Sequence, residues 1–483
     1  MFKMLLKFSL SYSVLQGIQK GAFFLLIPVI VANMSTDEYG IVSTVLMLTP
    51  LFTILFSLLL NASITRYYYK FKDTDQYREF LSTIINFQIL FAVLIGVVLL
   101  FLGKSLFSYI IPDLAYHPYI VLIILISILQ PTINSFMALL MVKQDLKNYA
   151  IFYNLYYLLQ TILLLATVVF LKQREIGYIS SLLIANILAF TFVLWSLRND
   201  IIFVIKRKYL WESLKYSIPI LPVDIGSLAD SLVGRFYILL FIGVGSIGVY
   251  YVGLQISSII ALIGLAVNSA YVPIFLKLYE EGEINRKLYM LSDIIIYSIG
   301  LLTVLVIFLS HIFIQMAFDK DYSQILSCII FLCAVSFMKS IYFIYTNILS
   351  LNLNLVRLKT YNILVGTVFN LFLSYYLTKY YGLIGAAISA LLGFSLTTML
   401  LIAVVRIKTD FMFSYKKQLS YFVYVLFTSL FLLENHLFDN VIKDNIIKIF
   451  IEVVLIVLFI FVMEYKHLRN KKYEYFSIKK RIF

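Results

Sequence analysis

The stretch Lys215–Ile242, KYSIPILPVDIGSLADSLVGRFYILLFI, decides how this chain folds. It is long enough to cross a bilayer, which takes about 20 apolar residues, yet it carries Asp224, Asp230 and Arg235. A charge at the centre of a bilayer costs roughly 2.5–3.5 kcal/mol, so three charges in one span are not expected to face lipid. Because eleven residues separate Asp224 from Arg235, a helix places both on nearly one face. This face is predicted to line a polar or wet pathway.

The composition places the chain in a membrane. Hydrophobic residues make up 62% of the chain and charged residues only 13%, whereas soluble domains carry about 25% charged residues. The mean hydropathy is +0.95. The sequence therefore predicts an all-α polytopic membrane protein, and we expect no nucleic-acid partner in spite of the net charge of +14.

The apolar runs predict about fourteen transmembrane helices. The candidate spans are roughly 8–32, 40–63, 80–102, 117–141, 149–171, 176–197, 215–242, 247–270, 291–315, 324–349, 360–379, 382–405, 418–434 and 445–464.

The basic residues give the predicted orientation. With the N-terminus in the cytoplasm, 29 of the 39 lysines and arginines fall in cytoplasmic segments and seven in outer ones. Cytoplasmic loops carry an excess of these residues, so both termini are predicted to be cytoplasmic. The remaining three, Lys20, Arg235 and Lys339, lie inside spans.

The connections between spans argue against enzymatic chemistry. No loop is long enough to fold as a domain of its own, as a membrane polymerase or ligase would usually require. Cys328 and Cys333 are too few to form a metal site and point apart on a helix, so we expect them to be core residues and expect neither a metal nor a cofactor.

An internal repeat relates the two halves of the chain. The segment Ser35–Phe56 resembles Gly243–Gly264, and Gly40 aligns with Gly248 at an offset of 208 residues. An alternative is that small-residue turns between apolar helices look alike by chance.

A second pair of segments supports the repeat, because Gly177 aligns with Gly382 at a similar offset of 205 residues. Each half would hold six spans, an even number, so the repeats are predicted to be parallel and to enclose the substrate between two bundles. The predicted divisions are a six-helix bundle at 1–200, a second at 201–408, two extra helices at 409–465 and a basic cytoplasmic tail at 466–483.

Polar stripes mark the first and second spans. Gln16 and Lys20 end a stripe along the first span, and Asn61 ends a stripe of hydroxyls along the second span, followed by Arg66. Such stripes at steps of three and four share one helix face. Alternatively, the hydroxyls bond only the preceding turn or a neighbouring helix. The stripes are Ser9, Ser13, Gln16 and Lys20 in the first span, and Thr49, Thr53, Ser57 and Asn61 in the second.

The charges inside the spans predict a cationic interior. Lys20, Arg235 and Lys339 would attract an anionic head group such as a diphosphate, because ammonium and guanidinium groups bind phosphate oxygens well. Asp224 and Asp230 are candidates for pairing with these cations, or for binding a coupling proton or sodium ion. A packing role for Arg235 beside a carboxylate of a neighbouring span is the alternative.

Three segments resemble the polysaccharide transporter family of the multidrug/oligosaccharidyl-lipid/polysaccharide exporter superfamily. Ile27–Val45 is similar to its first loop, Lys215–Ile238 to its seventh helix and Tyr380–Gly393 to its twelfth. The family usually places an acid directly before the arginine of the seventh helix. Here that position is Gly234, and the nearest acid is Asp230.

The resemblance implies a Wzx-type flippase with a fold similar to that of MATE (multidrug exporter) proteins. Such a protein moves a polyprenyl-diphosphate-linked oligosaccharide across the bacterial inner membrane by alternating access, for O-antigen, capsule or exopolysaccharide synthesis. The resemblance also implies membrane lipids, a polysaccharide polymerase and chain-length machinery as partners. Two alternatives remain: a cation-coupled multidrug exporter of the same superfamily, which the three interior cations disfavour, and a membrane polysaccharide polymerase.

Overall fold

The computed structural model describes most of the chain. Its backbone is described for residues 17, 19, 21, 23–72, 76–280, 286–349, 353–409, 411, 413–434 and 441–469. Within these ranges the side chains of 223, 227, 229–231, 280, 286–287, 353–357, 434, 441 and 464–469 lie outside the description. Two predicted site residues of the first span, Gln16 and Lys20, lie outside the described residues.

Helices account for almost all of the described chain, and no strand occurs in it. A helical stretch at 23–31 precedes fourteen helices: α1 Thr36–Ser57, α2 Leu60–Phe71, α3 Gln76–Ile110, α4 Val121–Val142, α5 Leu146–Leu165, α6 Arg174–Leu197, α7 Arg207–Ser217, α8 Leu221–Phe241, α9 Val244–Glu280, α10 Arg286–Ala317, α11 Ile329–Leu349, α12 Leu353–Lys408, α13 Tyr415–Glu434 and α14 Val441–Arg469. The predicted all-α membrane class is confirmed.

The number of membrane-spanning helices is not established as fourteen. In the described ranges, ten helices are long and apolar enough to cross a membrane. One of them, α12, covers both predicted spans 360–379 and 382–405, and its path is broken by Gly382, whose φ of +61° favours glycine. The protein is therefore a multi-pass membrane protein, and the exact count stays a prediction.

The predicted span at 215–242 corresponds mainly to α8, and only its first three residues, 215–217, belong to α7. Helix α7 ends at Ser217, a single 3-10 turn follows, and α8 begins at Leu221. Pro219 and Pro222 each lie in the first turn of a helical segment, where the missing N–H of proline leaves no bond unmade. The prolines therefore start new segments instead of extending one.

The predicted span at 40–63 is also interrupted. Helix α1 ends at Ser57, and Leu58 and Leu59 both adopt the left-handed conformation, with φ of 47° and 53°. The hydroxyl of Ser57 accepts a hydrogen bond from the backbone N–H of Leu59 at 3.1 Å. Asn61 consequently lies on α2, so the predicted continuous stripe from Thr49 to Asn61 on one helix is wrong.

The chain forms two compact units. The first contains Met1–Val252 and Leu371–Ala386, and the second contains Gly253–Asn370 and Ala387–Phe483. Helices α9 and α12 contribute to both units. The bundle boundaries predicted from the repeat, at residues 200 and 408, stay a prediction.

A buried carboxylate on α10 holds α13 in place within the second unit. Asp293 of α10 accepts hydrogen bonds from the Gln418 amide at 2.7 Å and the Ser414 hydroxyl at 3.1 Å, and it lies 3.6 Å from the ammonium of Lys417. The Tyr345 hydroxyl of α11 donates to Gln418 at 2.7 Å. Each partner helps offset the cost of burying the charge.

Within the first unit, two glycines related by the repeat meet each other. Helices α1 and α9 begin at Thr36 and Val244, which are 208 residues apart, the predicted offset. A Cβ built on Gly248 would lie 2.8 Å from the backbone nitrogen of Gly40 and 2.7 Å from the carbonyl oxygen of Thr36. The close approach of these two helices therefore requires glycine.

We expect Gly248→Ala to destabilise the protein, because the added methyl group meets backbone atoms that cannot move aside. Overpacking of this kind costs about 1–3 kcal/mol, and the apparent unfolding temperature of the detergent-purified protein would fall by several degrees. The control is Gly234→Ala, whose Cβ would make an ordinary contact at 3.4 Å with the Tyr250 hydroxyl. Equal unfolding temperatures for the two variants would contradict the close-packing interpretation.

Candidate functional site

Arg235 is the central residue of the candidate site. It lies in α8 and is only 7% exposed. Its Cζ atom lies 5.5 Å from the ring centroid of Tyr251 on α9, and the ring of Tyr251 lies 6.1 Å from that of Tyr39 on α1. A cation over an aromatic face contributes about 2 kcal/mol or more where water is excluded. The ring of Tyr251 therefore helps to hold this charge inside the first unit, and Tyr39 packs against that ring.

The absence of a side chain at Gly234 suits this aromatic surrounding. A Cβ at Gly234 would lie 3.4 Å from the Tyr250 hydroxyl and 3.7 Å from the Cβ of Ala386. An acidic side chain at this position would extend beyond Cβ toward these atoms. This chain thus places tyrosines beside the arginine and no side chain at position 234.

Asp224 lies in the first turn of α8 and is half-buried. Eleven residues of helix separate it from Arg235 by about 16 Å along the axis, which excludes a direct ion pair between the two. A negative charge in the first turn of a helix interacts favourably with the helix dipole. The backbone of Asp230 is helical, and its side chain is among those that the structure does not describe.

The second predicted cation, Lys339, belongs to the second unit. It lies on α11, is half-buried, and its Nζ atom is 5.3 Å from the ring centroid of Phe394 on α12. Ser336 and Ser340, on the same helix, are buried, and the Ser340 hydroxyl donates to the carbonyl of Ser336 at 3.1 Å. Lys339 is therefore a partly accessible charge on a helix that is otherwise mostly buried.

Asn61 and Arg66 lie on the short helix α2. Asn61 is half-buried, whereas Arg66 is exposed with its Cζ atom 6.0 Å from the ring centroid of Tyr216. The hydroxyls of Thr49 and Thr53 on α1 each donate to a carbonyl four residues earlier at 2.8 Å. For these two threonines, a hydrogen bond to the preceding turn explains how the hydroxyl is satisfied inside the helix.

The structure brings only some of the predicted residues into one compact unit. Arg235, Asp224, Asn61 and Arg66 belong to the first unit and Lys339 to the second. The convergence of the three cations in one chamber stays a prediction, as do the proposed roles of all these residues.

Sequence reasoning missed the aromatic partner of Arg235. Tyr251 lies in the second of the two segments compared as a repeat, and Tyr39, which packs against its ring, lies in the first. The aromatic residues near the start of both segments were the available signal. The position of the Tyr251 ring beside Arg235, however, depends on the packing of α8 and α9.

Helix α14 carries buried charges that the sequence analysis did not single out. Lys448 is only 1% exposed, and its ammonium lies 2.7 Å from the carboxylate of Asp444 one turn earlier. Glu452, fully buried, accepts hydrogen bonds from Ser429 at 2.5 Å and Thr428 at 3.0 Å on α13. The bonds of Glu452 join the two extra helices, whereas the pair of Lys448 and Asp444 lies within α14. All of these residues lie outside the predicted site.

Comparison with solved structures shows the fold. The lipid II flippase MurJ in an inward closed conformation matches with a TM-score of 0.67 at 17% identity, covering 96% of this chain and 100% of that chain. An inward-facing multidrug resistance MATE family transporter matches with a TM-score of 0.56 at 14% identity, covering 81% and 100%. A transporter of the same superfamily from Pyrococcus furiosus matches with a TM-score of 0.54 at 13% identity, covering 83% and 94%.

These similarities establish a fold shared with MurJ and the MATE transporters, as the sequence resemblance implied. No curated protein sequence matches the chain. The family model described as "Polysaccharide biosynthesis protein" matches residues 5–279, which is more than half of the chain. The chain therefore belongs to the polysaccharide biosynthesis protein family.

Proposed function

We propose that the protein is a flippase that moves polyprenyl-diphosphate-linked oligosaccharides across the bacterial inner membrane. The observation that carries the proposal is Arg235, a guanidinium held at 7% exposure in a helix of a multi-pass membrane protein. A charge buried there is costly, and such residues commonly mark a substrate or ion pathway. Membership of a polysaccharide biosynthesis family supports a sugar-bearing substrate.

The geometry around Arg235 suits a phosphate ligand. The planar guanidinium of Arg235 lies over the ring of Tyr251, with its Cζ atom 5.5 Å from the ring centroid. The N–H donors of arginine point outward in that plane, where they match phosphate oxygens in pairs. Tyr251 can therefore help to orient the guanidinium while the N–H donors of Arg235 engage a diphosphate.

The other predicted residues complete the proposal. Lys339 and Lys20 supply further cations, and the hydrogen-bonding groups of Gln16 and Asn61 contact the sugar or the head group. Arg66, exposed at the C-terminal half of α2, attracts the anionic head group before it enters. The lipid tail stays in the bilayer while the polar head crosses.

Movement of the head group requires no covalent chemistry, so the protein acts as a transporter by alternating access and needs no cofactor. Asp224 and Asp230 are the candidate positions for a coupling proton or sodium ion, or for pairing with the interior cations. The sugar unit would serve O-antigen, capsule or exopolysaccharide synthesis. A polysaccharide polymerase and chain-length machinery would receive it on the outer face, with both termini of the flippase in the cytoplasm.

We expect Arg235→Ala to reduce transport roughly 10- to 100-fold, because a hydrogen bond to a charged group contributes about 1.5–3 kcal/mol. Cells carrying the variant should lose surface polysaccharide and accumulate the lipid-linked intermediate on the inner leaflet. Arg235→Lys should retain part of the activity, since it keeps the charge but not the paired donors.

The matched control for this experiment is Lys104→Ala, which removes an exposed cation that is not among the predicted site residues. Membrane levels of each variant are compared by immunoblotting. Normal polysaccharide in the Arg235→Ala strain, at normal protein level, would refute the proposed role. Loss of drug resistance with unchanged polysaccharide would instead favour the multidrug exporter.

A cysteine introduced at position 339 tests whether this position is accessible to water. Cys328 and Cys333 are free and buried, so the background carries Cys328→Ser and Cys333→Ser. We expect Lys339→Cys to react with a charged methanethiosulfonate reagent, because only a hydrated thiolate reacts readily. Ser336→Cys, one turn away at a buried position, should react at least tenfold more slowly. Equal and negligible reaction at both positions would contradict a hydrated chamber at Lys339.

A further inference from the structure

The helix α7 presents a basic face with a tryptophan at its centre. Taking about 100° per residue, Arg207, Trp211, Lys215 and Lys208 fall within a single arc of about 100°. All four side chains are exposed, Trp211 to 61%. The ammonium of Lys215 lies 5.7 Å from the ring centroid of Trp211. This face therefore combines three cations with one large apolar ring.

The opposite face of α7 anchors the helix to the first unit. Tyr209, Ser213 and Ser217 are buried and lie on the other side of the helix. At its edge, Glu212 forms an ion pair with Lys70 of α2. Packing on the protein therefore uses the face away from Trp211 and fixes the direction in which the basic face points.

The segment before α7 is bonded to the first turns of α3. The backbone N–H of Ile202 donates to the Ser82 hydroxyl at 2.9 Å, and that of Lys206 donates to the Thr83 hydroxyl at 3.0 Å. The side chain of Phe203, between these bonds, is 87% exposed. Because α3 is a candidate membrane span that starts at this end, we expect α7 to lie near the boundary of the apolar layer.

We propose that the face formed by Arg207, Lys208, Trp211 and Lys215 is a docking surface for anionic phospholipid head groups. Charge complementarity selects this occupant, since three cations surround a ring at the end of membrane-spanning helices. Tryptophan prefers the membrane–water interface, and basic residues on an interfacial helix bind acidic lipids. This inference goes beyond the proposed flippase activity and does not rest on it.

Lipid contact with α7 would also affect the next helix, α8, because the connection between the two is short. One 3-10 turn, Ile218–Ile220, separates α7 from α8, the helix that carries Arg235. A lipid layer that holds α7 would therefore restrain the start of α8. We therefore expect the charge of the surrounding lipids to affect the position of α8, the helix that carries Arg235.

The two tryptophans of the chain make the test direct. In a Trp195→Phe variant, Trp211 is the sole tryptophan and reports on its own surroundings. The variant is reconstituted at low ionic strength in phosphatidylcholine vesicles with equal fractions of brominated phosphatidylglycerol or brominated phosphatidylcholine. We expect stronger quenching by the brominated phosphatidylglycerol, and each cation to contribute roughly fivefold to the relative affinity.

Two triple variants in this Trp195→Phe background separate the local charge from total charge. Substitution of Arg207, Lys208 and Lys215 by glutamine should abolish the preference for phosphatidylglycerol. The matched control substitutes three exposed lysines elsewhere, Lys104, Lys172 and Lys320, by glutamine, and should keep the preference.

Quenching that is equal for both lipids, or unchanged in the first triple variant, would overturn the proposal. Absence of quenching by either lipid would also overturn it, because the face would then meet water or protein. Circular dichroism and gel filtration check that the variants fold. The measurement reports lipid contact alone, so it can succeed or fail independently of flippase activity.

Discussion

The cost of placing a charge in a layer that cannot hydrate it governs this structure. Arg235, Asp293 and Lys448 are all buried, and each has a compensating neighbour close by. An aromatic ring faces Arg235, four polar groups surround or support Asp293, and Asp444 pairs with Lys448. Because an unsatisfied buried charge would cost several kcal/mol, the contacts of Arg235 and Asp293 favour particular pairs of helices lying together, whereas Lys448 is paired within its own helix.

The compensating neighbours differ in kind. The carboxylate of Asp444 pairs with Lys448 within one helix, one turn away. The ring of Tyr251 lies on a different helix from Arg235 and attracts its guanidinium through the aromatic face. The first contact is local to one helix, whereas the second links two helices.

The two segments compared as a repeat meet each other in the structure. Gly40 and Gly248 occupy equivalent places in the two halves, and they lie against each other where α1 and α9 approach closely. Two helices can approach so closely only where neither carries a side chain. The repeat therefore helps explain why a glycine is found at both positions.

The sequence by itself determined the membrane class, the helical fold, the family resemblance and the offset between α1 and α9, since these follow from apolar run length and local pattern. It could not determine where α1 stops, because Leu58 and Leu59 adopt a conformation that leucine disfavours and that only tertiary packing maintains. The partners of Arg235 and the fastening of α13 by Asp293 likewise depend on residues more than ten positions away in the chain. Periodicity places a side chain on a face of one helix, whereas only the packed structure decides which neighbouring helix that face meets.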